Sequence, residues 1–103
     1  MGNLEAQFHQ EMVDIYRKAL DECGYQASYF LQMVNEQGGL QTARSLITSS
    51  KPSEGFTKLW EKKRLDLTVE ALVQQAPWSD LFSPSELACA KKRLNAYAGG
   101  KDR

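Results

Sequence analysis

Histidine occurs once and cysteine twice in this 103-residue chain, and that scarcity removes most dedicated metal chemistry. A zinc or iron site draws three or four convergent ligands, commonly at CxxC or HxxxH spacings, which His9, Cys23 and Cys89 cannot supply. No DxDxDG loop or EF-hand spacing offers a calcium site instead. Thiol catalysis is equally short of parts. In one continuous helix His9 and Cys23 stand about 21 Å apart, too far for a nucleophile and its base, and a Cys89–His9 pair is permitted by topology alone. The glycine-bearing signatures GxxxxGK[ST], GxGxxG and GxSxG are missing too. The expectation is a non-enzymatic chain without metal or cofactor.

Long apolar runs are also missing. No segment approaches the roughly 18–20 apolar residues that cross a bilayer, and the start MGNLEAQFHQEM has acids and no apolar signal region. Two widely spaced cysteines form no disulfide framework, so reduced thiols in a cytoplasm are expected. Val, Ile and Thr do not cluster or alternate, which argues against strands. Charge of one sign is not in excess: thirteen basic and thirteen acidic side chains cancel, leaving no bulk field for nucleic acid. The balance is uneven along the chain, with five acids against two bases in residues 1–24 and eleven bases against seven acids in residues 40–103.

What is present is helical periodicity. The chain is 42% hydrophobic and 25% charged, enough for one folded core, and residues 1–98 are expected to form a single domain with a flexible charged tail at 99–103. Leu4, Phe8, Met12, Ile15, Ala19 and Cys23 trace one face of a helix capped by Asn3 and stopped by Gly24. Val13, Tyr16 and Leu20 widen that face beyond the ~100° of a one-sided helix, so the segment is either central or, through residues 4–23, half of a homodimer seam. A second helix over 26–37 and a third over 40–49 meet at Gly38-Gly39. Ser53 caps a fourth over 54–64, with Lys62, Lys63 and Arg64 in its last turn. Thr68 caps a fifth that Pro77 ends. Ser83-Pro84-Ser85-Glu86 combines a Ser cap, Pro at the first helical position and a capping-box Glu, and opens a sixth that Gly99-Gly100 closes. The expected fold is all-α, a compact orthogonal bundle of five to six short helices.

Two surfaces are candidates for binding. The triplets Lys62-Lys63-Arg64 and Lys91-Lys92-Arg93 suit exposed helix ends, and with Lys58 and Arg44 they could converge on phosphate or an acidic partner. A helix-turn-helix match around Gly38-Gly39 is poor, its second helix exposing Gln41, Thr42, Arg44 and Ser45 with one cation. Residues 52–70 are denser in signal. Gly55 in a first helical turn implies close packing on it, Arg64 and Asp66 can tie two helices, and Trp60 can fill the space beneath. This is a rigid corner, or a recognition surface of Ser53, Lys58, Arg64 and Glu70 around Trp60.

The stretches Tyr29-Phe30-Leu31-Gln32-Met33-Val34, Gly38-Gly39, Pro52-Ser53-Glu54-Gly55-Phe56, Leu59-Trp60-Glu61 and Arg64-Leu65-Asp66-Leu67-Thr68-Val69-Glu70 resemble a small, poorly characterised bacterial helical family of about this length. The likeness spans about residues 24–95 and implies no activity and no catalytic residues. Members that occur as segments appended to larger proteins imply binding rather than catalysis. The expected function is therefore a bacterial protein–protein interaction or accessory module. The alternative is a nucleic-acid-associated accessory protein using Arg44, Lys62, Lys63, Lys91, Lys92 and Arg93.

Overall fold

Asn3 starts the first helix as its short polar side chain allows. In the computed structural model, which describes residues 3–100, Asn3 Oδ1 accepts from the backbone N–H groups of Glu5 at 3.0 Å and Ala6 at 3.3 Å. Two of the N–H groups that every helix start leaves unpaired are thereby satisfied. Helix α1 runs Leu4–Cys23 and ends at Gly24, which takes the left-handed conformation at φ 68°. Helices α2 (Ser28–Gln37) and α3 (Gly39–Thr48) form the hairpin that the two glycines announce, with Gly38 at φ 88° between them.

Gly39 does more than turn the chain. A Cβ added there would lie 2.7 Å from His9 Cα, so α3 begins backbone against backbone on α1. The Gly39 N–H donates to His9 Nδ1 at 2.9 Å, which places the proton of a neutral imidazole on Nε2. His9 thus caps a helix thirty residues away from a half-buried position on α1.

Helix α4 is shorter than the sequence suggests. It spans Glu54–Glu61, and the Arg64 N–H donates to Leu59 O at 2.8 Å while the Lys63 N–H donates to Trp60 O at 3.0 Å. That pair of bonds is a Schellman stop with Lys63 in the left-handed position at φ 62°. Lys62, Lys63 and Arg64 therefore lie beyond the helix, not in its last turn. A 3-10 turn at Leu65–Leu67 leads to α5, a single turn over Val69–Leu72 capped by Thr68, and a second 3-10 turn covers Trp78–Leu81. Helix α6 spans Pro84–Gly100, so Gly99 and Gly100 continue it instead of closing it, and residues 101–103 of the expected tail lie outside the described residues. The capping box at its start forms as expected: Glu86 Oε1 accepts from Ser83 N–H at 2.9 Å and Ser83 Oγ from Glu86 N–H at 3.2 Å.

The result is an all-α compact bundle of six α-helices, four of them ten residues or longer, with no strand among the described residues. Its Cα radius of gyration, 13.0 Å, matches the about 13 Å of a 100-residue globule. Phe8, Met12 and Ile15 of α1 form the main core with Val34, Ala43, Ile47, Val69, Leu72, Val73, Phe82 and Ala90. Phe8 packs edge-on to Phe82, ring centroids 5.5 Å apart, and tilted against Trp78 at 5.9 Å. A second, smaller cluster joins Ala19, Leu59 and Leu67, with Cys23 and Tyr25 against it. Helix α1 runs through both clusters and is central, as one of its two expected roles requires. None of the described helices is long and apolar enough to cross a membrane.

Candidate functional site

The two hydrophobic clusters do not merge, and the gap between them is an open cleft of about 480 Å³. Ile15 and Val69 belong to the main core and Ala19, Leu59 and Leu67 to the smaller one, and all five line it. Helix α2 supplies the third wall through Phe30 and Met33. Four more aromatic side chains join the lining, Tyr16, Tyr25, Tyr29 and Phe56. Tyr29 is 72% exposed, the most exposed large apolar side chain of the described residues, and carries this wall out of the cleft onto the surface.

Local sequence explains why these groups meet. The left-handed turn at Gly24 reverses the chain so that Tyr25 packs beside the Ala19 cluster. Ser53 caps α4, its Oγ accepting from the Phe56 N–H at 3.1 Å, which sets Glu54 and Gly55 on the first turn beside Tyr25, while Phe56 packs edge-on to Tyr97 with ring centroids 5.0 Å apart. Burial pushes the Tyr25 hydroxyl above its ordinary value and the nearby Glu54 carboxylate adds to the shift. A Cβ on Gly55 would meet nothing closer than Ser53 Oγ at 3.8 Å, so the close packing expected there is absent.

The corner at residues 52–70 is built mainly as structure. Arg64 grips Asp66 with two hydrogen bonds, Nε to Oδ1 and Nη2 to Oδ2, both 3.1 Å, and Nη2 also reaches Glu22 Oε1 of α1 at 2.7 Å. Those hydrogen bonds hold the Asp66 carboxyl below its ordinary value and raise Arg64. Trp60 is half-buried, edge-on to Tyr97, and its Nε1–H donates to Tyr97 O at 3.3 Å. Glu70, expected on the recognition surface, is 2% exposed. It accepts from Arg93 at 3.0 Å, and burial raises its carboxyl against the pull of that cation. Of the five residues proposed for a partner, Lys58 is exposed, Ser53 lines the cleft as a cap, Trp60 and Arg64 are committed to packing and pairing, and Glu70 is removed from the surface.

The basic candidates divide in the same way. Arg93 is 11% exposed in its side chain and, besides Glu70, donates to the carbonyls of Leu46 and Ser49, tying the end of α3 to α5 and α6. Arg44 pairs with Glu86 at 2.8 Å, donates to Leu81 O and lies over the Phe82 ring. Neither is free to meet phosphate, whereas Lys62, Lys63, Lys91 and Lys92 remain exposed. Thr42, expected on the exposed face of α3, is fully buried, which takes a further contact from any helix-turn-helix reading.

Comparison with protein-family models, with curated proteins and with solved structures finds no match for this chain. The cleft's own geometry therefore carries the functional reading. Tyr16, Tyr25, Phe30 and Glu54 escaped the sequence reading as a group. The cluster Tyr25-x-x-x-Tyr29-Phe30 directly after a helix-stopping Gly24 was the signal available for them.

Proposed function

We propose that this chain is a non-enzymatic protein-binding module, an accessory component of a bacterial cytoplasmic system, whose working surface is the aromatic cleft between α1, α2 and α4. The observation that carries this reading is the unfilled apolar gap between two cores, opening beside an exposed tyrosine. A close-packed interior leaves few such voids, and an apolar concavity of this size, within the ~300–1,000 Å³ range of binding pockets, is the common form of a recognition site. Tyrosine is also favoured among residues that dominate binding energy, because its rigid ring offers area at little entropic loss. The exposed free thiol of Cys89 fits a reducing compartment.

Affinity capture from the native host, with the intact chain and three variants as baits, tests the proposal. Tyr29→Ala and Met33→Glu, each folded by circular dichroism, are expected to lose proteins that Lys91→Ala/Lys92→Ala retains. Capture that is indifferent to the cleft variants and fails with the lysine pair overturns it in favour of the basic surface.

A further inference from the structure

The charge around the cleft narrows what its occupant carries. Among the described residues lining it, the ionisable acids are Glu54 and Glu70, and none is Lys, Arg or His. Glu70 is already paired with Arg93. Glu54 is exposed in the first turn of α4, and its field reaches the Tyr25 hydroxyl inside the cleft. Tyr16, Tyr25, Tyr29, Phe30 and Phe56 line the same cleft, and aromatic rings attract cations over their faces. An apolar floor, an aromatic wall and a carboxylate that makes no ion pair among the described residues form a site for a group that is apolar and cationic at once.

We infer that the cleft takes a segment of a partner protein in which two apolar side chains are flanked by one lysine or arginine. The apolar pair fills the gap between the cores, and the cation reaches Glu54 across the aromatic wall. A protein segment, rather than a small amine, follows from Tyr29, whose exposure extends the apolar surface beyond the cavity mouth. The inference rests on the cleft being a protein-binding surface and adds the chemistry of what it binds.

A random 12-residue peptide library displayed on phage, selected on the intact chain, provides the test. Enriched peptides are expected to share two apolar or aromatic residues and a Lys or Arg within one or two helical turns of them. With a synthetic consensus peptide, Glu54→Gln weakens binding about three- to tenfold, and more steeply at low salt than at high. Glu54→Lys reverses the preference, so that the peptide with Lys or Arg replaced by Glu becomes the better ligand. A consensus without a base, or an unchanged Kd for Glu54→Gln, overturns the inference while binding that is still lost on Tyr29→Ala leaves the cleft reading standing. No enrichment, or peptides indifferent to Tyr29→Ala, overturns both. Competition by benzyltrimethylammonium at the peptide's own concentration overturns the assignment to a protein segment.

Discussion

Lys63 stands in the left-handed region at φ 62°, where an L side chain crowds its own backbone by about 1–2 kcal/mol. Lys63→Gly relieves that crowding and gives back part of it to the freer unfolded chain, so it is expected to stabilise the fold by about 0.5–1 kcal/mol. A urea midpoint that falls would contradict this account of how α4 stops. The buried Glu70–Arg93 pair leads to the opposite outcome. Glu70→Ala leaves a guanidinium uncompensated and is expected to lose about 3–5 kcal/mol, whereas Glu70→Leu combined with Arg93→Met loses much less. Equal losses for the single and the double variant in a double-mutant cycle would mean that the pair's charge is not what matters. Little of this was legible. On a helical wheel Arg93 and Lys91 flank the stripe of Leu87, Ala90, Leu94 and Tyr97 on opposite sides at equal distance, so position alone does not tell the buried cation from the exposed one, and only Lys92 points away from the stripe. Glu70 gave no signal either, because α5 is one turn long and a single turn has no period to read.

Helix starts were easier to read than helix ends. Asn3, Ser53, Thr68 and Ser83 cap the helices that their short oxygen-bearing side chains announce. Each cap acts through bonds within three residues, so sequence order alone defines it. The end of α4 depends instead on a lysine adopting a glycine-like conformation, and no residue preference signals that. Ser53 then sets two expectations for α4. Ser53→Ala removes the acceptor of the Phe56 N–H and is expected to lose about 1 kcal/mol. Gly55→Ala, whose Cβ would meet Ser53 Oγ at 3.8 Å and the Tyr25 ring at 4.0 Å in ordinary van der Waals contact, is expected to gain about 0.5–1 kcal/mol, since alanine favours the helix and no neighbour has to shift. Thermal melts of both check them, and a destabilised Gly55→Ala would show that the cleft closes onto that residue in solution.

At the scale of the molecule, the class of fold follows from periodicity, but the cleft does not. It exists because Ala19, Leu59 and Leu67 gather separately from the Phe8–Met12–Ile47 core, and that separation depends on how α2 and α4 approach α1, a long-range outcome with no local pattern. The same whole-molecule packing sets the pH response. Burial raises Glu70 above its ordinary 4.5, so the folded chain holds that proton more tightly than the unfolded one, and stability falls as pH rises from about 4.5 through the raised folded value. Asp66 behaves in the reverse sense. Arg64 lowers it from 3.8, so its contribution is present above that value and is lost as pH falls below it. Because the Asp66 side chain is 63% exposed, solvent screening limits that contribution to under about 1 kcal/mol. Urea midpoints measured from pH 3 to pH 8 are therefore expected to decline above about 4.5 in the native chain and to lose that decline in Glu70→Gln. Asp66→Asn flattens only the acid side. A Glu70→Gln profile parallel to the native one would show that Glu70 ionises as freely in the fold as outside it.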